Sequence, residues 1–168
     1  YAENVFFGKP SGLMDQMACA VGGFVYIDFE DTKNPKIEKI DFNLSGAGYA
    51  LCIVNTGGNH ADLNDDYASV PAEMKSVAAF FGKKVLRELD NETVLNNVAA
   101  LREKVGDRAI LRAIHFFNEN GRVDVQAEAL KNKDTAKFLE YVIKSGNSSY
   151  MFLQNVFTTK NVAEQGLS

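Results

Sequence analysis

The sequence predicts an α+β fold, with strands in the first third of the chain and a helical bundle after them. Alternating aromatic and β-branched residues indicate strands before residue 48, whereas the chain beyond residue 69 has the apolar spacing of amphipathic helices. Strands followed by a run of helices are typical of α+β proteins. At 168 residues, 46% of them hydrophobic and 24% charged, the chain resembles an ordinary soluble globular protein.

The first predicted element is a short helix that Ser11 can cap and that Gly22 and Gly23 end. Its predicted buried stripe has helical spacing and consists of Met14, Met17, Ala18 and Val21. Asp15 lies off this stripe, near the small residue Gly12. A carboxylate beside small residues is a candidate base or binding group, although an Asp in a first helical turn more often only complements the helix dipole.

Three strands are predicted after this helix. Residues 24–29 alternate, and with residues 37–42 as a partner strand they would form a hairpin or a meander across the polar turn 30–36. Residues 49–55 form a near-continuous apolar run, which predicts a buried strand. Residues 45–48 are predicted to be a connector, because they lack the lysine and the spacing of a nucleotide-binding loop.

The loop over residues 60–67 is predicted to be a solvated acidic segment. The order of Asp62, Asp65 and Asp66 does not fit the alternating ligands of an EF-hand, so a calcium site is disfavoured. The two histidines are far apart in the sequence, and no metal-ligand spacing is found. Cys19 and Cys52 lie in apolar stretches, which favours small core residues in a reducing, cytoplasmic compartment over a disulfide or metal pair.

The rest of the chain is predicted to be helical. Ser69 and Pro71 are expected to open the first of these helices, and Gly82 to end it. The later predicted helices cover residues 91–105 and 107–131, then a segment capped by Asp134, then a segment from Ser148 or Ser149 through Phe157. Their predicted inward residues include Val77, Val94, Leu95, Leu101, Ile110, Val142 and Ile143. On the long helix, Gly121 is expected to mark a kink or a close contact, and His115 to be a packed core histidine.

Charge and hydropathy argue against nucleic-acid and membrane partners. The formal net charge is −4 with both signs interspersed, so no basic stripe is present. No apolar run approaches the roughly 20 residues that a membrane span needs, and no signal-peptide pattern is found.

One string carries a specific resemblance. Residues 12–16, GLMDQ, preceded by FGKPS at residues 7–11, resemble the segment with the catalytic aspartate in galactokinases of the GHMP kinase family. The resemblance implies a GHMP-kinase-like fold, in which residues 1–48 end the amino-terminal domain and residues 49–168 begin a mostly helical carboxyl-terminal domain. It also implies that Asp15 is the catalytic base and that Asp15 and the Gly12 backbone contact the sugar.

The resemblance continues in weaker form along most of the chain. Residues 49–70 resemble the galactokinase segment that ends in a sugar-contacting tyrosine, and Tyr67 corresponds to that tyrosine. The family pattern then reads Pro-Val-Arg-Arg, whereas residues 68–71 here read Ala-Ser-Val-Pro, so the basic pair is absent. Residues 108–130 resemble the family's long helix.

The function implied by the resemblance is an ATP- and Mg²⁺-dependent sugar 1-kinase that phosphorylates the anomeric hydroxyl of galactose. The family's amino-terminal sugar motif, its Gly/Ser-rich phosphate loop and its carboxyl-terminal glycine motif are not found in these residues. We therefore expect an internal piece of a longer kinase, inactive by itself, with no cofactor-binding or metal-binding residue of its own. Three alternatives stay open: a GHMP kinase for N-acetylgalactosamine or a uronic acid, a galactose sensor without phosphoryl transfer, and a purely structural fragment.

Overall fold

A computed structural model describes residues 5–8, 12–55 and 64–156. Its elements in chain order are α1 (Met14–Val21), β1 (Phe24–Asp28), β2 (Lys36–Ile40), α2 (Asn64–Phe80), a 3₁₀ turn (Leu86–Glu88), α3 (Asn91–Asn96), α4 (Val98–Val105), α5 (Asp107–Lys131), α6 (Thr135–Ser148) and a π turn (Ser149–Leu153). The predicted α+β class is confirmed, with β1 and β2 before the helical bundle that begins at α2.

The predicted hairpin is confirmed and packs on the carboxyl-terminal half of α5. β1 and β2 are antiparallel, with Phe24 opposite Ile40. Ile40 is 6% exposed and packs in one cluster with Ala127 and Leu130 of α5. Phe24 makes an edge-to-face contact with Phe138 of α6, with ring centroids 6.0 Å apart, so the hairpin, α5 and α6 share this cluster.

A larger cluster joins α2, α3 and α4 to the amino-terminal half of α5. Its buried members are Val77, Ala78, Leu86, Val94, Leu101, Ala109, Ile110 and Ala113. Val77, Val94 and Leu101 are fully buried, as their helical spacing predicts. The two clusters therefore lie at opposite ends of α5.

The start of α2 differs from the prediction. The helix begins at Asn64, so Asp65 and Asp66 lie in its first turn rather than in a loop, and Pro71 lies inside it. The two carboxylates complement the positive end of the helix dipole, which favours this earlier start. Ser69 does not cap the helix. Its hydroxyl donates to the Asp66 carbonyl oxygen at 2.7 Å.

The helix predicted over residues 91–105 is two helices that meet at Asn97. Asn97 has φ −116° and ψ 15°, and its side-chain amide donates to the Thr93 carbonyl oxygen at 2.9 Å. This side-chain bond competes with the regular backbone ladder, and the backbone of Asn97 leaves the helical conformation there. Leu95, predicted to be inward, is consequently 48% exposed.

The last two helices largely follow the prediction. α5 runs without interruption from Asp107 to Lys131, and the Asp134 carboxylate accepts from the Lys137 amide at 3.0 Å to cap α6. A close contact at Gly121 was wrongly predicted, since a Cβ added there would meet no atom within 4 Å. Val142 and Ile143 were wrongly predicted to be inward and are 44% and 65% exposed, because α6 turns its other face to α5.

Two predicted buried segments are exposed. Residues 49–55 are irregular rather than a strand, and Ile53 is 94% exposed. No residue of α1 is buried, so its predicted stripe is at most half-covered, and Cys19 and Cys52 are exposed free thiols rather than core residues. The physical reason is the same in each case: within the described residues, α1 packs mainly on β1, and the sheet consists of β1 and β2.

Candidate functional site

Asp15 lies in the first turn of α1, with its carboxylate at the positive end of the helix. Leu13, rather than the predicted Ser11, occupies the N-cap position and makes no side-chain cap bond. Ser11 itself lies outside the described residues. Gly12 and Asp15 are both exposed, and a Cβ added at Gly12 would meet no atom within 4 Å. A carboxylate and an unobstructed glycine backbone are thus placed together at an accessible helix start.

Tyr67 lies in the first turn of α2, and it is 52% exposed. Within the part of the chain that the structure describes, α1 packs mainly on β1 and α2 on α5, and no extensive contact joins α1 to α2. Gly12 and Asp15 are thus sequence neighbours at the start of α1, whereas Tyr67 lies on a separate element, α2.

A buried guanidinium lies behind the first turn of α2. Arg112 of α5 is 2% exposed, and its Nε donates to the Leu153 carbonyl oxygen at 3.0 Å. Its Nη1 donates to Ser69 Oγ at 2.9 Å and to Glu73 Oε2 at 3.0 Å. Burial lowers the pKa of the Arg112 guanidinium, and the nearby Glu73 carboxylate opposes that shift. One side chain thus connects α2, α5 and the turn after α6.

Arg108 completes this cluster from the solvent side. Its Nε donates to Glu73 Oε1 at 3.0 Å, and these hydrogen bonds raise the pKa of Arg108. Glu73 and Arg112 are not among the site residues that the sequence predicts. The sequence nevertheless contains a signal that could identify Glu73. Ser69 and Glu73 lie eight and four residues before the fully buried Val77, and this spacing places all three on one face of α2.

His115 is a buried, hydrogen-bonded core residue, as the sequence predicts. It is 7% exposed, and its Nδ1 lies 2.9 Å from Ser148 Oγ. Nearby, Glu119 accepts from Ser145 Oγ at 2.6 Å and pairs with Arg122. These polar contacts attach α6 to the middle of α5.

Burial of His115 predicts a pH-dependent stability. Burial lowers the pKa of His115 from its ordinary value of 6.5, and the Glu119 carboxylate opposes the shift. The unfolded chain therefore takes up a proton at a higher pH than the folded chain does. The free energy of unfolding should be greatest above pH 6.5, fall as the pH drops below it, and level off below the folded pKa.

Urea titrations at several pH values should show this dependence in the wild type and in His60→Gln, and should show it diminished in His115→Gln. An unchanged dependence in His115→Gln would contradict the assignment.

A shallow polar cavity of about 250 Å³ lies between the hairpin and α5. Tyr26 donates to Asp124 Oδ1 at 3.0 Å and Lys131 donates to Glu38 Oε2 at 3.0 Å, so the polar groups lining it pair with one another. The hydrogen bond to Asp124 raises the pKa of Tyr26. The cavity contains none of the sequence-predicted site residues.

The residues that the structure describes contain no group of three or more His, Cys, Asp or Glu side chains that could hold a metal ion. The glycine-containing turn at residues 45–48 has the connector geometry that the sequence predicts, and Gly46 donates to Asn43 Oδ1 at 2.9 Å. In the same described ranges, no helix is both long and apolar enough to cross a bilayer.

Comparison with known proteins identifies related sequences. No family model matches the chain. The chain is 32% identical over 147 residues to a galactokinase of Actinobacillus pleuropneumoniae. The aligned residues cover 88% of this chain and 37% of that protein. It is 33% identical over 136 residues to a galactokinase of Glaesserella parasuis, covering 81% of this chain and 34% of that protein. It is 30% identical over 150 residues to a galactokinase of Streptomyces coelicolor, covering 88% and 38%. The chain spans little more than a third of the length of these relatives. Its resemblance to galactokinases is confirmed, because it is related to them in sequence over most of its own length.

Proposed function

We propose that the protein containing this chain is a galactokinase, which transfers a phosphoryl group from ATP, with Mg²⁺, to the anomeric hydroxyl of galactose. The observation that carries the proposal is the exposed Asp15 carboxylate at the start of α1, within the GLMDQ segment of a chain related to galactokinases. The GHMP-kinase-like fold, with domains divided near Gly48, is part of the same proposal.

Asp15 is proposed to act as the base. As the hydroxyl oxygen of the sugar bonds to the γ-phosphorus of ATP, the bond between that phosphorus and the β,γ-bridging oxygen breaks, ADP leaves, and the hydroxyl proton passes to the Asp15 carboxylate. A base within hydrogen-bond reach contributes about 10²–10⁴ in rate. Asp15 suits this role by its position, because it is exposed in the first turn of α1, where a sugar hydroxyl can approach its carboxylate.

Gly12 and Tyr67 are proposed to bind the sugar. The open space beside Gly12 allows a sugar hydroxyl to approach its backbone. The half-exposed Tyr67 would offer its phenol to another hydroxyl. The basic pair that follows the tyrosine in the family is absent after Tyr67.

The test is a turnover assay on the complete gene product. The protein is incubated with ATP, Mg²⁺ and galactose, and ³¹P NMR detects a sugar 1-phosphate; N-acetylgalactosamine and galacturonic acid are assayed in parallel. Formation of galactose 1-phosphate supports the proposal, and turnover of only another sugar reassigns the substrate. Galactose binding by calorimetry without turnover would instead identify a sensor. The absence of both binding and turnover would contradict the proposal. The 168 residues alone are expected to show no turnover.

A further inference from the structure

We propose that Arg112 is a positioning residue, whose buried guanidinium holds the first turn of α2 and thereby the orientation of Tyr67 towards the sugar. The inference rests on the proposed function, in which Tyr67 contacts the sugar. Its structural part, the coupling of Arg112 to that turn, can be measured independently.

The hydrogen bonds run from Arg112 to the first turn of α2 in two steps. Arg112 Nη1 donates to Ser69 Oγ at 2.9 Å, and Ser69 Oγ donates to the Asp66 carbonyl oxygen at 2.7 Å. Asp66 immediately precedes Tyr67. The guanidinium itself is held in place, because its Nε donates to the Leu153 carbonyl oxygen on the far side. A rotation of the first turn would therefore break a bond at a buried, charged donor.

The helical phase of α2 explains why this connection orients Tyr67. Asp66, Ser69 and Glu73 are separated by three and four residues, so they share the face that packs on α5. Tyr67 lies about 100° around the helix from Asp66, which leaves its ring half-exposed. Asp66 Oδ2 is buried on this face without a hydrogen-bond partner, and the Asp66 charge favours the protonated forms of Arg112 and Arg108 nearby.

The experiment compares two serines of α2 in the complete gene product. Ser69→Ala removes the hydroxyl between Arg112 and Asp66. Ser76→Ala is the matched control, because Ser76 Oγ makes the same kind of bond, to the Glu73 carbonyl oxygen at 2.7 Å, two turns later on the same face. Amide hydrogen exchange at residues 68–70 should accelerate about five- to tenfold in Ser69→Ala, the change expected for one lost hydrogen bond, and stay unchanged in Ser76→Ala. Equal exchange in the two variants would overturn the inference.

Kinetics then test the link to the sugar. Ser69→Ala and Arg112→Lys should raise KM for galactose about five- to tenfold with kcat within about twofold, because sugar contact and not proton transfer is disturbed. Ser76→Ala should match the wild type. An unchanged KM in both variants would overturn the positioning role. If the wild type neither binds nor phosphorylates galactose while the exchange difference is present, the proposed function fails and only the coupling of Arg112 to α2 is supported.

Discussion

Replacing Asp15 by Asn is expected to lower kcat for galactose phosphorylation by about 10²–10⁴-fold. The amide has the shape of the carboxylate but cannot accept the proton of the sugar hydroxyl. The fold should survive, because no residue of α1 is buried and the substitution is exposed. The loss of charge at the helix start should cost about 0.3–1 kcal/mol. Steady-state kinetics and a thermal melt of the same preparation measure both quantities.

Asp41→Asn is the matched control for this experiment. Asp41 is an exposed carboxylate that follows β2, and the proposal gives it no role. Its variant should keep the wild-type kcat. A wild-type kcat in Asp15→Asn, or an equal loss in both variants, would show that Asp15 is not the base.

Replacing Leu101 by Ala is expected to lower the free energy of unfolding by about 2–5 kcal/mol. Leu101 is fully buried at the centre of the cluster that joins α2, α3 and α4 to α5. Truncation removes three carbon atoms and leaves a cavity that the surrounding helices can only partly fill. Urea denaturation followed by circular dichroism measures the change.

Leu95→Ala provides the comparison, since it deletes the same atoms from the adjacent helix. Leu95 is 48% exposed, so less apolar surface is lost from the interior and the expected change is below about 1 kcal/mol. Equal destabilisation by the two variants would mean that the larger cluster does not dominate the stability.

The parts of the fold that the sequence predicts well are those specified by neighbouring residues. The alternation in β1 and β2, the Asp134 cap and the long stripe of α5 each depend on local spacing, and each is observed. The prediction of a strand over residues 49–55 was wrong for the opposite reason. Their apolar run predicts a strand, but a strand also needs a partner strand from elsewhere, and the described sheet consists of β1 and β2 alone.

The candidate site divides in the same way. Asp15 could be singled out from its motif, and the structure places it at an exposed helix start. Its role and that of Tyr67 stay predictions. Arg112 could not be assigned from spacing alone, because a charged residue on a helix ordinarily faces water. Its burial depends on Glu73 and on the Leu153 carbonyl, which lie 39 and 41 residues away in the sequence.

The length of α5 matters because the helix carries both hydrophobic clusters. Its 25 residues span about 37 Å, with Ile110 in one cluster and Leu130 in the other. Inserting one residue between them would rotate the distal half by about 100° and turn Leu130 away from the hairpin. Exposed positions of the intervening stretch, such as Gly121, can therefore vary in composition, whereas the number of residues between the two clusters is fixed. The length of α5 thus fixes the rotation of one hydrophobic cluster relative to the other.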